Sequence, residues 1–320
     1  MGEQGLICGW QDKYLSLWGH QPIRLGHRLH TLDLFGHDGL ARLIESYPRE
    51  HFSIVQTSDT RERRVWREGE LGGLSGREVI AAIARGRLWL NMRRLNDVDS
   101  RYAHLLEQLF DEMQQLAPGF VTLRRGCGLL ISSPRSRVHY HADLPGQGLL
   151  QIAGRKRLYL YPAETPFISR ELLERIAVFD LEVDIPYHSW FDEYALTYDL
   201  EPGQMVYWPT NAPHRVENED CLNISLTVDF LTEPIRRAQI VTLANGLLRH
   251  RFGWEPHSRS IRGPAYWTKA VLQKALRNGS WIRQARRAGK TIEFRVDRAA
   301  PGPESWPLTW NATDERTPRP

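Results

Sequence analysis

The sequence predicts an α+β protein with a mainly β core, and the distribution of patterned segments supports this class. Residues 120–234 hold short alternating apolar runs separated by Gly and Pro, without the helices that a parallel α/β sheet needs between its strands. Helical periodicity instead precedes this region, over residues 1–119, and follows it, over residues 235–298. Many short strands at this spacing indicate a closed or nearly closed β architecture. The final residues, 299–320, are rich in proline and unpatterned, which predicts a flexible tail.

Size and composition are those of a globular protein. The chain has 320 residues, of which 41% are hydrophobic and 25% charged, so a sizeable core can form. The sequence has no run of about 18 apolar residues and no basic flank followed by an apolar stretch at its start, which predicts neither a membrane span nor a secretory signal. Three cysteines, Cys8, Cys127 and Cys221, form no C-x-x-C pair. These features predict a cytoplasmic protein without disulfides.

The first 119 residues are expected to form an α/β region that packs on the central β structure. A helix is predicted over 38–47, with Asp38 as its N-cap. Ser75 and Glu78 form an S-x-x-E capping box that begins a second helix. A third helix, over 100–116, carries a leucine stripe at helical spacing and is expected to bury it.

The central region is predicted to consist of short strands. Alternation and turn residues place them over 120–125, 128–132, 137–143, 148–154, 155–161, 195–200, 204–209 and 223–230. One short helix interrupts them, over 169–177, and Ser169 is its candidate N-cap.

The C-terminal segment is predicted to be helical and strongly basic. Helices are expected over 235–249 and 265–277, and Trp267 and Val271 belong to the apolar residues of the second. Residues 235–298 carry fifteen Lys and Arg against three acids, a net charge of +12 in a chain whose total is +4. A solvated helical face is the favoured explanation, and an anionic partner such as nucleic acid is the less favoured one.

A histidine and an aspartate stand two residues apart at the end of a predicted strand. Residues i and i+2 of a strand face the same side, so His141 and Asp143 can converge on one metal ion. His214 follows another strand and a turn rich in Pro and Asn. Two imidazoles and one carboxylate on one face form the facial triad typical of non-haem Fe(II) oxygenases. His139 shares the strand face and is expected to orient a ligand or the substrate, unless it is an ordinary histidine at the pore mouth.

Lys156 is predicted to lie on the apolar face of its strand. Alternation puts it on the side of Leu158 and Leu160, and puts Arg157 on the other. An unpaired buried ammonium group is costly, so Lys156 needs an anionic partner there. The distal carboxylate of 2-oxoglutarate would be such a partner, whereas a lysine on a solvent face would need none.

These motifs resemble those of the JmjC and cupin-like oxygenases. The chain has H-x-D, then Q-x-x-G-x-K before an apolar stretch ending in Tyr-Pro, then G-x-x-x-Y-x-P with a histidine eleven residues after the glycine. Over about 137–230 the spacings are most similar to the asparaginyl-hydroxylase branch. The resemblance implies a double-stranded β-helix (jelly-roll) that hydroxylates a substrate with Fe(II), 2-oxoglutarate and O₂. It makes His141, Asp143 and His214 the metal-binding and catalytic residues, and Lys156 the residue that binds 2-oxoglutarate.

The chain also departs from that branch at three positions around the expected co-substrate. Val138 stands where a threonine usually helps to bind 2-oxoglutarate, so another hydroxyl has to assist the lysine. Gln147 replaces an asparagine, and is expected to supply the same amide to the co-substrate. Asp229 replaces a second asparagine with a carboxylate, which would repel the co-substrate's own carboxylates. The resemblance therefore implies iron chemistry in an altered co-substrate pocket.

Two other functions stay open on the sequence: a cupin metalloenzyme that does not use 2-oxoglutarate, and a non-catalytic binding module for an anionic partner. Residues 203–218 also fit a second cupin motif, with Asn211 where a glycine is usual. Pro145 and Gly146, however, occupy the places where the cupin glutamate would follow. The expected substrate is a protein side chain or a small molecule. By similarity to related hydroxylases, the C-terminal helices are expected to form a homodimer.

Overall fold

The computed structural model describes residues 5–56, 67–179, 185–277, 279 and 292–296. The tail predicted over 299–320 lies outside the described residues, as does much of the last part of the basic segment.

The secondary structure consists of strands and helices in mixed order. The strands are Ile7–Cys8 (β1), Ile23–His27 (β2), Phe52–Gln56 (β3), Arg67–Glu70 (β4), Leu88–Met92 (β5), Thr122–Ser132 (β6), Arg137–His141 (β7), Gly146–Ala153 (β8), Lys156–Leu160 (β9), Leu196–Leu200 (β10), Gln204–Trp208 (β11), His214–Asn218 (β12), Asn223–Thr232 (β13) and Ile292–Arg295 (β14). The α-helices are Lys13–Leu17 (α1), His37–Ser46 (α2), Gly76–Arg85 (α3), Leu95–Val98 (α4), Ser100–Leu116 (α5), Arg170–Phe179 (α6), Glu233–Phe252 (α7) and Gly263–Leu276 (α8). Short 3-10 helices cover Leu29–Thr31, Asp33–Phe35, Arg49–His51 and Ser189–Tyr194.

Strands β6 to β13 form a double-stranded β-helix from two antiparallel sheets. In the larger sheet they lie in the order β11-β8-β13-β6, and in the smaller sheet in the order β10-β9-β12-β7. Strands that are consecutive in the chain therefore mostly belong to opposite sheets, and the chain crossing between them closes the two sheets around one interior. The predicted fold class, a mainly β core with helical elements before and after it, is confirmed.

The larger sheet continues beyond the β-helix at both edges. Strands β1 and β2 extend it beside β11, and β5, β3, β4 and β14 extend it beside β6. β5 pairs with the second half of β6, with Leu90 opposite Ile131. The sequence patterns did not predict β2 or β5, and β5 brings residues of the N-terminal region to the mouth of the β-helix.

Two apolar clusters lie on the two faces of the larger sheet. Inside the β-helix, the side chains of one cluster come from both sheets, and it includes Leu149, Leu158, Val206 and Val216. On the outer face, a larger cluster joins the sheet to the N-terminal helices. Phe110 of α5, which is completely buried, belongs to it. Because Leu149 of β8 belongs to the inner cluster and Leu150 to the outer one, both faces of this strand are buried.

Several local predictions in the N-terminal region are confirmed. The Ser75 hydroxyl accepts the Glu78 N–H at 3.3 Å, and the Glu78 carboxylate accepts the Ser75 N–H at 2.8 Å, which completes the capping box of α3. α5 has the predicted bounds and buries most of its leucine stripe. The expected cap at Asp38 is wrong, because Gly36 is the N-cap of α2 and Asp38 lies in its first turn. There its carboxylate still suits the positive end of the helix dipole.

In the central region, the predicted strand set differs from the observed one in two respects. The runs over 120–125 and 128–132 form one strand, β6, because its long partner β13 hydrogen-bonds across the glycines between them. The polar sequence 214–218 forms β12, although it lacks an alternating apolar pattern. Pairing with both β7 and β9 stabilises β12 as a central strand of the smaller sheet. The Ser169 cap is confirmed, since its hydroxyl accepts the Leu172 N–H at 3.2 Å.

The C-terminal helices α7 and α8 pack against each other, and α7 packs on α6. Tyr266 of α8 is buried. Trp267 and Val271 are not, since they are 61% and 69% exposed. The expected apolar face of this helix is therefore only partly covered by the rest of the chain. No helix in the described part of the chain has the length and apolar character needed to cross a bilayer.

Candidate metal centre

The three residues expected to bind a metal lie close together at one end of the β-helix. His141 is the last residue of β7 and His214 the first residue of β12, and the two are direct partners in the antiparallel ladder. The Asp143 Oδ2 atom lies 3.4 Å from His214 Nε2 and 4.0 Å from His141 Nε2. One candidate ligand atom from each residue lies within 4.8 Å of the other two. Among the described residues, this is the one group of three or more His, Cys, Asp or Glu side chains whose ligand atoms are close enough to hold a metal ion.

Asp143 reaches this position by a different route from the one that strand alternation suggests. β7 ends at His141, so Asp143 belongs to the loop that leads to β8. It is the ladder between β7 and β12, rather than alternation within one strand, that brings the carboxylate next to His214. The His141 and His214 rings lie 4.1 Å apart between their centroids.

Both imidazole rings are oriented by backbone carbonyls. His141 Nδ1 lies 2.8 Å from the carbonyl oxygen of His139, and His214 Nδ1 lies 3.1 Å from that of Ala212. A carbonyl only accepts hydrogen bonds, so each Nδ1 carries the proton and each Nε2 keeps a lone pair facing the cluster. Burial, followed by the nearby His141, lowers the pKa of His214 to about 4, and the neutral ring is the form that binds metals. His139 contacts the His141 ring through its backbone carbonyl oxygen, and the role expected of its side chain stays a prediction.

The turn before β12 is shaped by a residue with positive φ. Asn211 has a φ of 65°, a left-handed conformation that glycine and asparagine tolerate better than other residues. This explains why asparagine can stand where a cupin motif usually has glycine. The turn returns the chain so that the Trp208 ring, at the end of β11, lies 5.0 Å from the ring of His214.

The residue after His214 ties β12 to the outside of the smaller sheet. Arg215 is buried, and its guanidinium donates to Asp192 at 2.6 Å and to the Tyr161 hydroxyl at 2.8 Å. Its guanidinium carbon also lies 3.4 Å from the centroid of the Tyr159 ring. These contacts connect β12 to β9 and to the 3-10 helix at Ser189–Tyr194, and thereby hold the position of His214 from the opposite face.

A cavity of about 380 Å³ opens over the three residues. Apolar side chains from both sheets form most of its wall, and the polar residues are concentrated around the triad and at the mouth. The lining residues are Trp89, Asn91, Arg93, Arg94, Cys127, Gly128, Leu130, Val138, His141, Asp143, Gln147, Leu149, Leu158, Trp208, His214, Val216, Thr227 and Asp229. The first four come from β5 and the residues after it. No sequence signal pointed to them, because their position depends on how β5 pairs with β6.

With this geometry established, comparisons with known proteins identify the central part of the chain. Residues 77–234 match the family described as Cupin-like domain. This segment of the chain is therefore similar to a cupin-like domain. Among curated protein sequences no match was found.

Solved structures with a similar fold include YcfD of Escherichia coli. One YcfD structure is 15% identical, with 92% of this chain and 76% of that chain covered and a TM-score of 0.51. Another, described as a ribosomal oxygenase, is 18% identical, with coverages of 88% and 70% and a TM-score of 0.49. A third, a complex with cobalt and 2-oxoglutarate, is 16% identical, with coverages of 93% and 77% and a TM-score of 0.48. At 15% identity and a TM-score of 0.51, the likeness to the first of these structures concerns the fold alone.

Lys156 lies deep inside the β-helix. It is 4% exposed, and Leu158 and Leu160 on the same strand face are buried as well, while Arg157 is exposed. Burial lowers the pKa of the Lys156 ammonium from 10.5 to about 7. No residue in the described part of the chain forms an ion pair or hydrogen bond with this ammonium. Lys156 does not line the cavity itself. It lies two residues before Leu158 on β9, and Leu158 is a lining residue, so Lys156 is one layer further from the triad.

Gln147 and Asp229, the two positions expected to depart from the asparaginyl-hydroxylase branch, lie side by side on the larger sheet. Gln147 pairs with Asp229 in the ladder between β8 and β13, and both line the cavity. Arg124 donates a hydrogen bond to the Asp229 carboxylate at 3.3 Å. Burial raises the pKa of Asp229, and the negative charge of Asp143 adds to this effect. The repulsion expected from Asp229 is thus reduced by a neighbouring guanidinium and by a weaker tendency to ionise.

Proposed function

We propose that this protein is an Fe(II)- and 2-oxoglutarate-dependent dioxygenase that hydroxylates its substrate and converts 2-oxoglutarate to succinate. The observation that carries the proposal is the position of His141, Asp143 and His214. Their ligand atoms lie within 4.8 Å of one another on the wall of a cavity inside a double-stranded β-helix. These three residues would hold the metal ion, and a donor set of two imidazoles and one carboxylate is the type found in non-haem Fe(II) oxygenases.

The chemistry of the donors fits a divalent iron ion. Two Nε2 lone pairs are available because both Nδ1 atoms are held by carbonyl oxygens, and Asp143 supplies the anionic oxygen. When bound, the iron would supply oxygen activation coupled to decarboxylation of 2-oxoglutarate. The protein's own contribution is to orient the ligands and to exclude water through the apolar cavity wall.

We assign the binding of 2-oxoglutarate to Lys156 and Gln147. The buried ammonium of Lys156 has no anionic neighbour among the described residues, and a carboxylate of the co-substrate would supply the missing charge. Gln147 lines the cavity next to the triad and carries an amide that can donate to a second carboxylate. A cupin metalloenzyme that does not use 2-oxoglutarate would have no need for a buried lysine at this place.

The substrate is proposed to be a protein side chain, with a small molecule as the alternative. YcfD, which is described as a ribosomal oxygenase, has a similar fold, and this analogy is the basis for preferring a protein substrate. The three free cysteines are consistent with a cytoplasmic protein. We also propose that the chain is divided into an N-terminal α/β region (1–119), the catalytic core (120–234), the basic helical segment (235–298) and the tail (299–320).

A homodimer through α7 and α8 is the proposed assembly. Trp267 and Val271 of α8 are mostly exposed, and a second copy of the helix pair would cover them. Binding of nucleic acid to this basic segment is less favoured, because Arg249 and Arg259 already form ion pairs with Glu174.

Anaerobic titration of the purified protein with Fe(II) and 2-oxoglutarate tests the proposed function without a known substrate. We expect a visible charge-transfer absorption that requires both additions. The His141→Ala variant should lose it, and so should Asp143→Ala. The Lys156→Ala variant should need a much higher concentration of 2-oxoglutarate, whereas a cupin that does not use 2-oxoglutarate would show no absorption at all. Absence of the band in the wild-type protein would refute the proposal.

A further inference from the structure

On the smaller sheet, the described residues that line the proposed co-substrate pocket offer no hydroxyl. Val138 occupies the position of the usual threonine, and it lines the cavity with an apolar side chain. An ammonium group alone provides charge but leaves part of a carboxylate's hydrogen-bonding capacity unused, because each carboxylate oxygen accepts more than one hydrogen bond. A donor elsewhere on the cavity wall would restore the missing bond.

Thr227 carries the hydroxyl that meets this requirement. Among the described residues that line the cavity, it is the one with a Ser, Thr or Tyr hydroxyl. It lies on β13, two residues from Asp229, so both side chains face the interior of the β-helix. The larger sheet thus offers a hydroxyl where the smaller sheet has only Val138.

The strand registers place Thr227 at the correct depth. On the larger sheet, Asp229 pairs with Gln147 in the layer of the triad, and Thr227 pairs with Leu149 in the next layer. On the smaller sheet, His214 pairs with His141, and Val216 pairs with Val138 in the next layer.

Lys156 lies one step deeper on the smaller sheet. Val216 pairs with Leu158 on β9, and Asn218, two residues further along β12, pairs with Lys156. The layer of Thr227 and Val138 therefore lies between the triad and the lysine. A dicarboxylate that extends from the metal toward Lys156 has to pass through this layer.

The present hydrogen bond of Thr227 is weak enough to be exchanged. Its hydroxyl donates to the Gly128 carbonyl oxygen at 3.2 Å, which is long for a hydroxyl donor. Other hydroxyls near the base of the β-helix have shorter bonds: Ser225 donates to Gln151 at 2.7 Å, and Ser132 accepts from Asn218 at 2.8 Å. Neither of these serines is on the cavity wall.

We propose that the Thr227 hydroxyl binds the distal carboxylate of 2-oxoglutarate together with Lys156, and replaces the hydroxyl that Val138 cannot supply. This assignment rests on the proposed function. It makes Thr227 a co-substrate-binding residue contributed by the larger sheet. When the co-substrate enters, the Thr227 hydroxyl keeps its proton and donates its hydrogen bond to the carboxylate oxygen instead of to the Gly128 carbonyl oxygen.

The test measures 2-oxoglutarate affinity of the full chain from the Fe(II)-dependent absorption under anaerobic conditions. A hydrogen bond to a charged group contributes about 1.5 kcal/mol or more, so Thr227→Val should weaken 2-oxoglutarate binding by about 10-fold or more. Thr227→Ser keeps the hydroxyl and should stay within about 3-fold of the wild type. The double variant V138T/T227V returns a hydroxyl to the same layer from the other sheet and should regain most of the affinity. Thr197→Val, on the exposed part of β10, is the matched control and should not change the affinity.

Unchanged affinity in Thr227→Val, with the wild type binding normally, would overturn this inference and leave the proposed function intact. Absence of 2-oxoglutarate binding in the wild type would instead refute both. Circular dichroism of each ligand-free variant checks folding. If Thr227→Val does not fold, the comparison of Thr227→Ala with Thr227→Ser separates loss of the hydroxyl from loss of packing, and equal affinity in these two variants would equally overturn the inference.

Discussion

Replacing Lys156 with methionine should affect the ligand-free protein and the co-substrate complex in opposite directions. The side chain is 4% exposed, and no described residue pairs with its ammonium group. Methionine has a similar length and is apolar, so the Lys156→Met variant removes the buried charge and keeps most of the volume. We expect the ligand-free variant to be more stable than the wild type and to bind 2-oxoglutarate poorly.

The magnitude follows from the pKa of Lys156, which burial lowers from 10.5 to about 7. Between these two values the unfolded chain binds a proton that the folded protein releases, so the stability of the wild type rises with pH across this range. At pH 7 the buried ammonium costs about 4 kcal/mol, which is an upper estimate of the gain in the methionine variant. Below pH 7 the advantage of the variant is fully present, and it should disappear as the pH approaches 10.5.

Urea denaturation of both proteins at several pH values between 6 and about 10 measures this difference directly. Lys13→Met, at an exposed lysine of α1, is the matched control and should leave the free energy of unfolding almost unchanged. Addition of 2-oxoglutarate to the Fe(II)-loaded proteins should further stabilise the wild type, by mass action, and not Lys156→Met. A ligand-free variant that is less stable than the wild type at pH 7, or a difference that does not shrink with rising pH, would refute the reasoning about a buried unpaired charge.

Three further predictions concern the metal site, its support and the assembly. His214→Ala should reduce the bound iron to near zero in metal analysis after anaerobic loading, and a variant that retains wild-type iron would exclude His214 as a ligand. Arg215→Ala leaves Asp192 without its buried partner and should lower the free energy of unfolding by about 3 kcal/mol or more, whereas Arg157→Ala, at an exposed ion pair, should leave the denaturation midpoint almost unchanged. Trp267→Glu should convert the proposed dimer to a monomer in light scattering, and a wild-type protein that is already monomeric would contradict the proposed assembly.

The features that the sequence predicted well are those that depend on near neighbours in the chain. The capping box of Ser75 and Glu78 needs two residues three positions apart, and its hydrogen bonds form as expected. The burial of Lys156 beside Leu158 follows from alternation within one strand. The candidate ligands were found through short motifs, and their role as iron ligands stays a prediction until metal binding is measured.

The features that the sequence missed depend on partners far away in the chain. β12 has a polar sequence, yet it is a central strand because β7 and β9 satisfy its backbone on both sides. Trp267 and Val271 are apolar residues of α8 and are mostly exposed, because helical spacing shows that a face is apolar but does not show what covers it. Asp38 fits the pattern of an N-cap, but the N-cap lies two residues earlier, at Gly36, because Gly36 has the extended backbone conformation of a cap.

The sequence by itself therefore determined the class of the fold, the approximate positions of most central strands and of the C-terminal helices, and the residue types available for metal chemistry. Only the tertiary structure decided that His141 and His214 face each other, that β5 contributes to the mouth of the cavity, and that Thr227 is the hydroxyl on its wall. The physical reason is that periodicity records which side of a strand is apolar, whereas the closure of two sheets around one interior is set by hydrogen-bonded pairing between distant strands.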